Sequence, residues 1–245
     1  MAVRTALGYS GLVGTVVLYE VNGRQYMRAK PRSRTKKPGK ATIARNTLFG
    51  DVSRYGTSLI GEMKEKLLFP FTLETYNRQR GWMWNEYAAH KDDNVWELVA
   101  KNNQMSQLNT DTDLRDFLEA AFTVKDVGKG LVSIGIPAIN PVRNIKAPMR
   151  TVKVNMKLMV LSRPFMVAGT DHYLDMEAYA FDYVDNMLPA KTFTINTKPM
   201  KGIATDNIAL VAIALEFETT DSGKGIYNTE KRWLPAAIIA MGRLK

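Results

Sequence analysis

The sequence predicts an α+β protein: an N-terminal β-hairpin and basic arm, a helical segment and a C-terminal antiparallel β-sandwich. Three observations predict it. Asn22-Gly23 is a strong tight-turn signal between runs rich in Val, Tyr and Leu. Between residues 43 and 108 apolar residues recur at helical spacing. From about residue 122 the period falls to two, and strand-like runs follow one another with no helix between them. The expected divisions are 1–45 for the hairpin and arm, 46–121 for the helical segment and 122–245 for the sandwich.

Residues 14–30 read as the hairpin, because a two-residue type I′ turn needs positive φ at both central positions, which Asn-Gly tolerates. Pairing across that turn sets Val21 opposite Arg24, Tyr19 opposite Tyr26, Leu18 opposite Met27 and Val17 opposite Arg28. One face then shows Val16, Leu18, Met27 and Ala29; the other shows Val17, Tyr19, Val21 and Tyr26, with Arg24 and Arg28 among them. A lone two-stranded hairpin is marginal in water. With two largely apolar faces it must dock on its own body or on a neighbouring subunit, with Val17, Tyr19, Tyr26 and Met27 as the docking residues. Residues 31–42, PRSRTKKPGKAT, read as a linker.

The helical segment follows. Ile43, Leu48, Val52, Tyr55, Leu59, Met63 and Leu67 fall on one stripe of a helix over 43–68 that Pro70 ends. Residues 72–90 and 94–108 read as a second and a third helix, and Thr110-x-x-Asp113 as the cap of a short fourth over 111–121. The aromatic run WMWNEY (82–87) and Trp96 could serve as a stacking platform, but aromatic stripes at helical spacing usually bury in a core. Strands are expected at 130–139, 151–161, 173–184, 191–197, 208–218 and 231–241, the last with Pro235 forcing a bulge or an edge near its start. IALVAIAL (208–215) has no polar side, so its strand is buried on both faces.

Charge is concentrated. The net charge of +10 is almost wholly held by residues 21–50, which contain Arg24, Arg28, Lys30, Arg32, Arg34, Lys36, Lys37, Lys40 and Arg45 and no acidic residue. Such a localised field points to a partner, in a way that a high isoelectric point alone does not. Three readings compete for this arm. In the first, a hairpin on a tether adds to the sheet edge of another subunit. In the second, up to nine cations neutralise phosphates without reading sequence. In the third, the arm is a solvated basic loop. The hairpin places assembly first, because phosphate binding alone does not require one.

Catalytic signals are absent from the sequence. The chain contains no cysteine, which excludes disulfides, thiolate metal sites and cysteine nucleophiles. His90 reads as a helix C-terminal residue and His172 as a turn residue, and neither has metal-ligand spacing. NTDTDLRDFLE (109–119) lacks the third ligand position and central glycine of a calcium loop. TTDSGKGIYN (219–228) lacks Walker spacing and joins two strands, so it reads as a hairpin loop. The expectation is therefore a non-enzymatic protein with no cofactor and no metal. Its longest apolar runs, 208–215 and 233–242, are too short to span a bilayer, which takes about 20 residues. The N-terminus lacks the pattern of a signal peptide. The reading is a protein kept in the cytoplasm until assembly, with the virion as one destination.

GLVGTVVLYEVNGRQYMRAKP (11–31) resembles the opening G-x-V-G-x-x-V-x-Y-x-x-N-G-x-Q-x-x-R-x-K-P of an uncharacterised protein family common in Bacteroidota genomes and their phages. The likeness continues through LLFPFTLETYNRQRGWMWNEYAAH and GLVSIGIPAINPVRNIKAP. The resemblance implies an α+β organisation, carries no catalytic residue over, and suggests a bacterial or phage protein. The combined expectation is a structural or assembly protein of a phage particle or similar large assembly. Its partners would be copies of itself or other structural subunits, with no membrane. The alternative is a sequence-nonspecific nucleic-acid-binding accessory protein that uses the basic arm.

Overall fold

The computed structural model describes residues 2–5, 8–13, 15–21, 24–30, 37–90, 96–164, 173–197, 207–221 and 224–244. The chain divides into two compact units, Met1–Arg45 and Asn46–Lys245.

The first unit is a four-stranded antiparallel meander, in the order β1 (Ala2–Thr5), β2 (Gly8–Val13), β3 (Val16–Val21) and β4 (Arg24–Ala29). The hairpin expected from the sequence is its β3–β4 half, with Val21↔Arg24, Tyr19↔Tyr26, Leu18↔Met27 and Val17↔Arg28 as pairs. The turn residues Asn22 and Gly23 lie outside the described residues. The hairpin is not alone. Gly11↔Leu18, Leu12↔Val17 and Val13↔Val16 add β2 to β3, so the marginal two-stranded hairpin is extended by the segment before it.

The second unit is built around one antiparallel sheet, in the order β5 (Ser106–Gln107), β13 (Ala236–Arg243), β11 (Asn207–Asp221), β8 (Thr151–Pro164) and β9 (Tyr173–Asp182), with β12 (Lys224–Tyr227) also paired to β11. A smaller antiparallel sheet runs β10 (Lys191–Asn196), β7 (Leu131–Ile136) and β6 (Thr123–Gly128). β11 shows why the large sheet needs two covers. Ala209, Val211, Ile213, Leu215 and Phe217 join Val132, Ile134, Phe193 and Ile195 of the small sheet in one core. Ile208, Leu210, Ala212 and Ala214 point the other way, into a second core with Val52, Tyr55, Leu59 and Met63 of α1 (Lys40–Lys66) and Met83 of α2 (Leu73–His90). The two antiparallel sheets thus form the sandwich expected from the sequence, and the helices cover its outer side. The change of period near residue 122 is a change of layer within one compact unit.

Several expectations are corrected. The helix foreseen over 43–68 begins at Lys40, so Lys40, Ala41 and Thr42 belong to it and not to a linker. Ile43 is exposed, and the stripe that buries is Val52, Tyr55, Leu59, Met63 and Leu67. No helix forms over 96–108. Trp96 and Leu98 are buried while Glu97 and Val99 are exposed, which is a period of two. The stretch runs beside β13 instead, with Arg243 N donating to Trp96 O and Lys101 N to Ile239 O, both at 2.7 Å. The edge of a sheet outbids helix propensity here, because β13 would otherwise bury unpaired backbone groups. The fourth helix shrinks to α3 (Leu114–Phe117), and its cap is Asp113, whose side chain accepts from Arg115 N. A further single turn, α4 (Pro141–Asn144), is capped by Asn140. The last strand starts at Ala236, because residues 231–233 form a 3-10 turn before Pro235. Its bulge lies further on: Val211 pairs with Ala240 and Ala212 with Ile238, so Ile239 is the extra residue.

Two glycines are set by close approach. A Cβ on Gly56 would meet Met83 Sδ at 2.7 Å, so the gap in α1 lets α2 pack. A Cβ on Gly242 would meet the backbone of Leu98 at 2.5 and 2.6 Å, and backbone cannot rotate away. Gly242→Ala therefore pushes residues 96–98 off β13, and the expected cost is about 2 kcal/mol or more. Denaturant unfolding checks it: an unchanged midpoint would show that this edge tolerates the methyl group.

Candidate interaction surface

The predicted site residues fall into a described set and an undescribed one. Arg32, Arg34 and Lys36 lie outside the described residues. Lys37 precedes α1, and Lys40 and Arg45 are exposed on its first turns. Arg24, Arg28 and Lys30 lie in or next to β4, whose six residues are exposed along the whole strand. β4 ends its sheet, so one row of its backbone N–H and C=O groups has no strand partner among the described residues.

The sheet pleat decides what that strand presents. Val17 and Tyr19 share a face with Arg28 and Tyr26, since directly opposed residues point the same way. On that face the rings of Tyr19 and Tyr26 stack, with centroids 5.7 Å apart and planes 21° apart. The Arg28 guanidinium lies over the Tyr19 ring, 5.5 Å from its centroid. The result is an exposed cation–aromatic ladder whose cations keep most of their donors for a partner. The opposite face carries Met27, which is 75% exposed, beside Leu18. Of the four docking residues expected from the sequence, Tyr26 and Met27 on the edge strand are exposed, and Val17 and Tyr19 on the inner strand are half-buried.

The aromatic run of α2 is core. Met83 is buried, and Trp82, Trp84 and Tyr87 pack against the core beneath the helices. Phe49 of α1 meets Trp84 edge-on at 5.2 Å. His90 ends α2, as expected, and stacks on Trp96 at 5.2 Å. His172 lies outside the described residues.

Two polar features escaped the sequence reading. Arg163, at the end of β8, reaches α1: it donates to Ser58 Oγ at 2.5 Å, lies 3.9 Å from Glu62 and stands over the Tyr55 ring. Tyr55 donates to the Arg163 carbonyl, and burial pushes its hydroxyl far above the ordinary phenol value. This cluster ties α1 to the sheet. The second feature is a cleft of about 480 Å³ whose lining includes Asp111, Asp113, Asp116, Lys146 and Trp233. Its wall is a relay. Buried Gln79 of α2 donates to Gln107 O at 2.7 Å, and Gln107 Nε2 donates to Asp113 Oδ1 at 2.8 Å. Hydrogen bonds from the Arg115 side chain, chiefly, hold the Asp113 carboxyl below the ordinary carboxylate range. Arg163 and Ser58, like Gln79 and Gln107, lie far apart in sequence, so no local motif could announce those contacts. With opposite charges mixed along it, the cleft gives no clear ligand chemistry.

No family model, curated protein or solved structure matches the chain. No helix among the described residues is long and apolar enough to cross a membrane.

Two outcomes are expected. Tyr19→Ala removes both the ring stack and the cation contact, worth about 1–2 kcal/mol together. Amide exchange in residues 16–29 should then speed up about tenfold or more while β11 keeps its protection; equal protection in both would show that the ladder adds nothing. Asp113 supplies a pH effect. Its folded pKa is depressed, so its stabilisation is present above the unfolded value and is lost as pH falls through the folded one. Asp113→Asn should lose stability near neutral pH and show a flatter decline below about pH 4, read by thermal unfolding across that range.

Proposed function

We propose that this is a non-enzymatic structural protein that assembles through its N-terminal sheet. The observation that carries the reading is β4: an edge strand exposed along its full length, with Tyr26 and Met27 exposed and Arg24 and Arg28 on the same strand. Soluble proteins usually blunt such an edge or cover it, because it templates pairing with another chain. Its two arginines meet that need in part, yet the exposed Met27 and the tyrosine stack give a partner strand apolar area to bury. The partners are copies of this chain or other structural subunits. The resemblance of residues 11–31 to a family found in phages makes a phage particle, or a similar large assembly, the setting we favour.

The alternative is a nucleic-acid-binding accessory protein. One observation favours it: the strands that hold the Arg28–Tyr19–Tyr26 ladder directly precede the basic run in the sequence, and stacked aromatics with guanidinium groups suit single strands. If all nine cations engaged phosphates, log affinity against log salt would have a slope of about −8.

Light scattering behind size exclusion, with absorbance at ~260 and ~280 nm, separates the two readings on nuclease-treated protein. Assembly predicts a discrete multimer free of nucleic acid that Tyr26→Asp dissociates while the Asn46–Lys245 unit keeps its unfolding midpoint. Neutralising Arg32, Arg34, Lys36 and Lys37 should shift that mass only modestly. A monomer that holds nucleic acid until salt is raised, and loses it on that neutralisation, would establish the alternative.

A further inference from the structure

Among the described residues, two strand edges of opposite charge have no strand partner. β4 carries Arg24 and Arg28 and no acidic residue. β9 is the last strand of the large sheet and carries Asp175, Glu177 and Asp182 and no basic residue. Arg24, Arg28, Asp175 and Glu177 face no opposite charge across their own ladders. Arg24 faces Val21 and Arg28 faces Val17; Asp175 faces Val160 and Glu177 faces Leu158. Asp182 differs, since it faces Lys153. Tyr179 packs against Phe193 of β10, with ring centroids 5.6 Å apart, so the part of β9 left without a neighbour among the described residues is its beginning, where Asp175 and Glu177 lie. There Asp175 Oδ1 accepts from Met176 N at 2.8 Å, and this side chain satisfies an N–H of the edge.

Resting on the assembly reading, we propose that the acidic edge of β9 receives the basic edge strand β4 of a second copy, which adds to the large sheet as an antiparallel strand. One register satisfies both faces at once. With Arg28 opposite Asp175, Tyr26 falls opposite Glu177 and Arg24 opposite Tyr179, diagonal to Glu177. On the other face Met27 falls opposite Met176 and Ala29 opposite Leu174, which are apolar pairs. Slipping by one residue sets Met27 or Ala29 against a carboxylate, so the alternation fixes the register. Met176 N exchanges its bond to Asp175 for a strand partner, which frees that carboxylate for Arg28. Each copy has one edge of each kind, so the contact is heterologous and propagates into a ring or a filament.

The absence of native cysteine makes the test direct. Full-length Met27→Cys and Met176→Cys chains are mixed under a mild oxidant, with Met27→Cys and Met149→Cys as the control, since Met149 is 91% exposed. The expected result is a cross-linked heterodimer well above the control. Charge reversal is the second arm. Arg24→Glu with Arg28→Glu should weaken self-association about tenfold or more, and Asp175→Lys with Glu177→Lys in the same chain should restore it. A doubly substituted Met27→Cys/Met176→Cys chain that closes only on itself would overturn the second-copy occupant. A multimer whose mass ignores charge reversal and which gives no cross-link above control would overturn this pairing and leave the assembly reading standing. A wild-type monomer at every concentration would sink both.

Discussion

β11, β13 and residues 158–161 of β8 are apolar on both sides, and everything else in the larger unit is arranged to keep water from one side or the other. A strand such as Asn207–Asp221, buried over its first eleven residues, cannot sit in a one-sided sheet. Leaving either face open would expose a contiguous apolar patch, each buried aliphatic side chain being worth about 1.5–3 kcal/mol. The small sheet meets this demand on one face and α1 with α2 on the other. The alanines at 212, 214 and 236 on the helical side are consistent with helices lying close to the strands. The constraint also explains Gly242: the segment after α2 must lie against β13 to finish the edge, and its backbone comes too close for any side chain there.

Polar groups inside this arrangement act as clips between layers. Gln79, fully buried, holds α2 to β5 through Ser106 Oγ and Gln107 O. Arg163 holds the end of β8 to α1 through Ser58 and Glu62. Within the large sheet itself, Lys157 and Glu216 form a largely buried ion pair across β8 and β11, 2.5 Å apart, with Asn155 donating to the same carboxylate. Such groups add little net energy over apolar packing, but removing one partner strands the other. The Gln79 and Arg163 contacts fix which helix lies over which strand, a matter on which hydrophobic burial alone is permissive.

The smaller unit answers to a different rule. A four-stranded meander has two ends, and β4 is left at one of them with all six residues exposed. Function, on our reading, lives in that contrast. The larger unit covers its apolar faces, and the smaller one keeps a charged, partly apolar edge available. Arg24 and Arg28 give the edge a sign, and sign sets partner choice and encounter rate more than raw affinity.

Much of this was legible in the residues. The alternation at 151–161 and 173–184, the two-sided run at 208–215 and the hairpin pairing around Asn22-Gly23 are local patterns, and each follows from the geometry of a strand. The basic cluster needed only counting. The stretch 94–108 was misread, because Trp96, Leu98, Met105 and Leu108 satisfy a loose helical stripe as well as an extended one, and only the open edge of β13 chooses between them. The first two strands were missed because Gly8 and Gly11 dilute their pattern, and pairing to β3 is what makes them strands. The sequence by itself determined the period of each segment, and hence which side chains can share a face. Which segments meet was decided only by the tertiary structure: the layers that cover β11, the clips between them and the strand left at an edge. The reason is that a face specifies how much must be buried, and only the folded chain specifies against what.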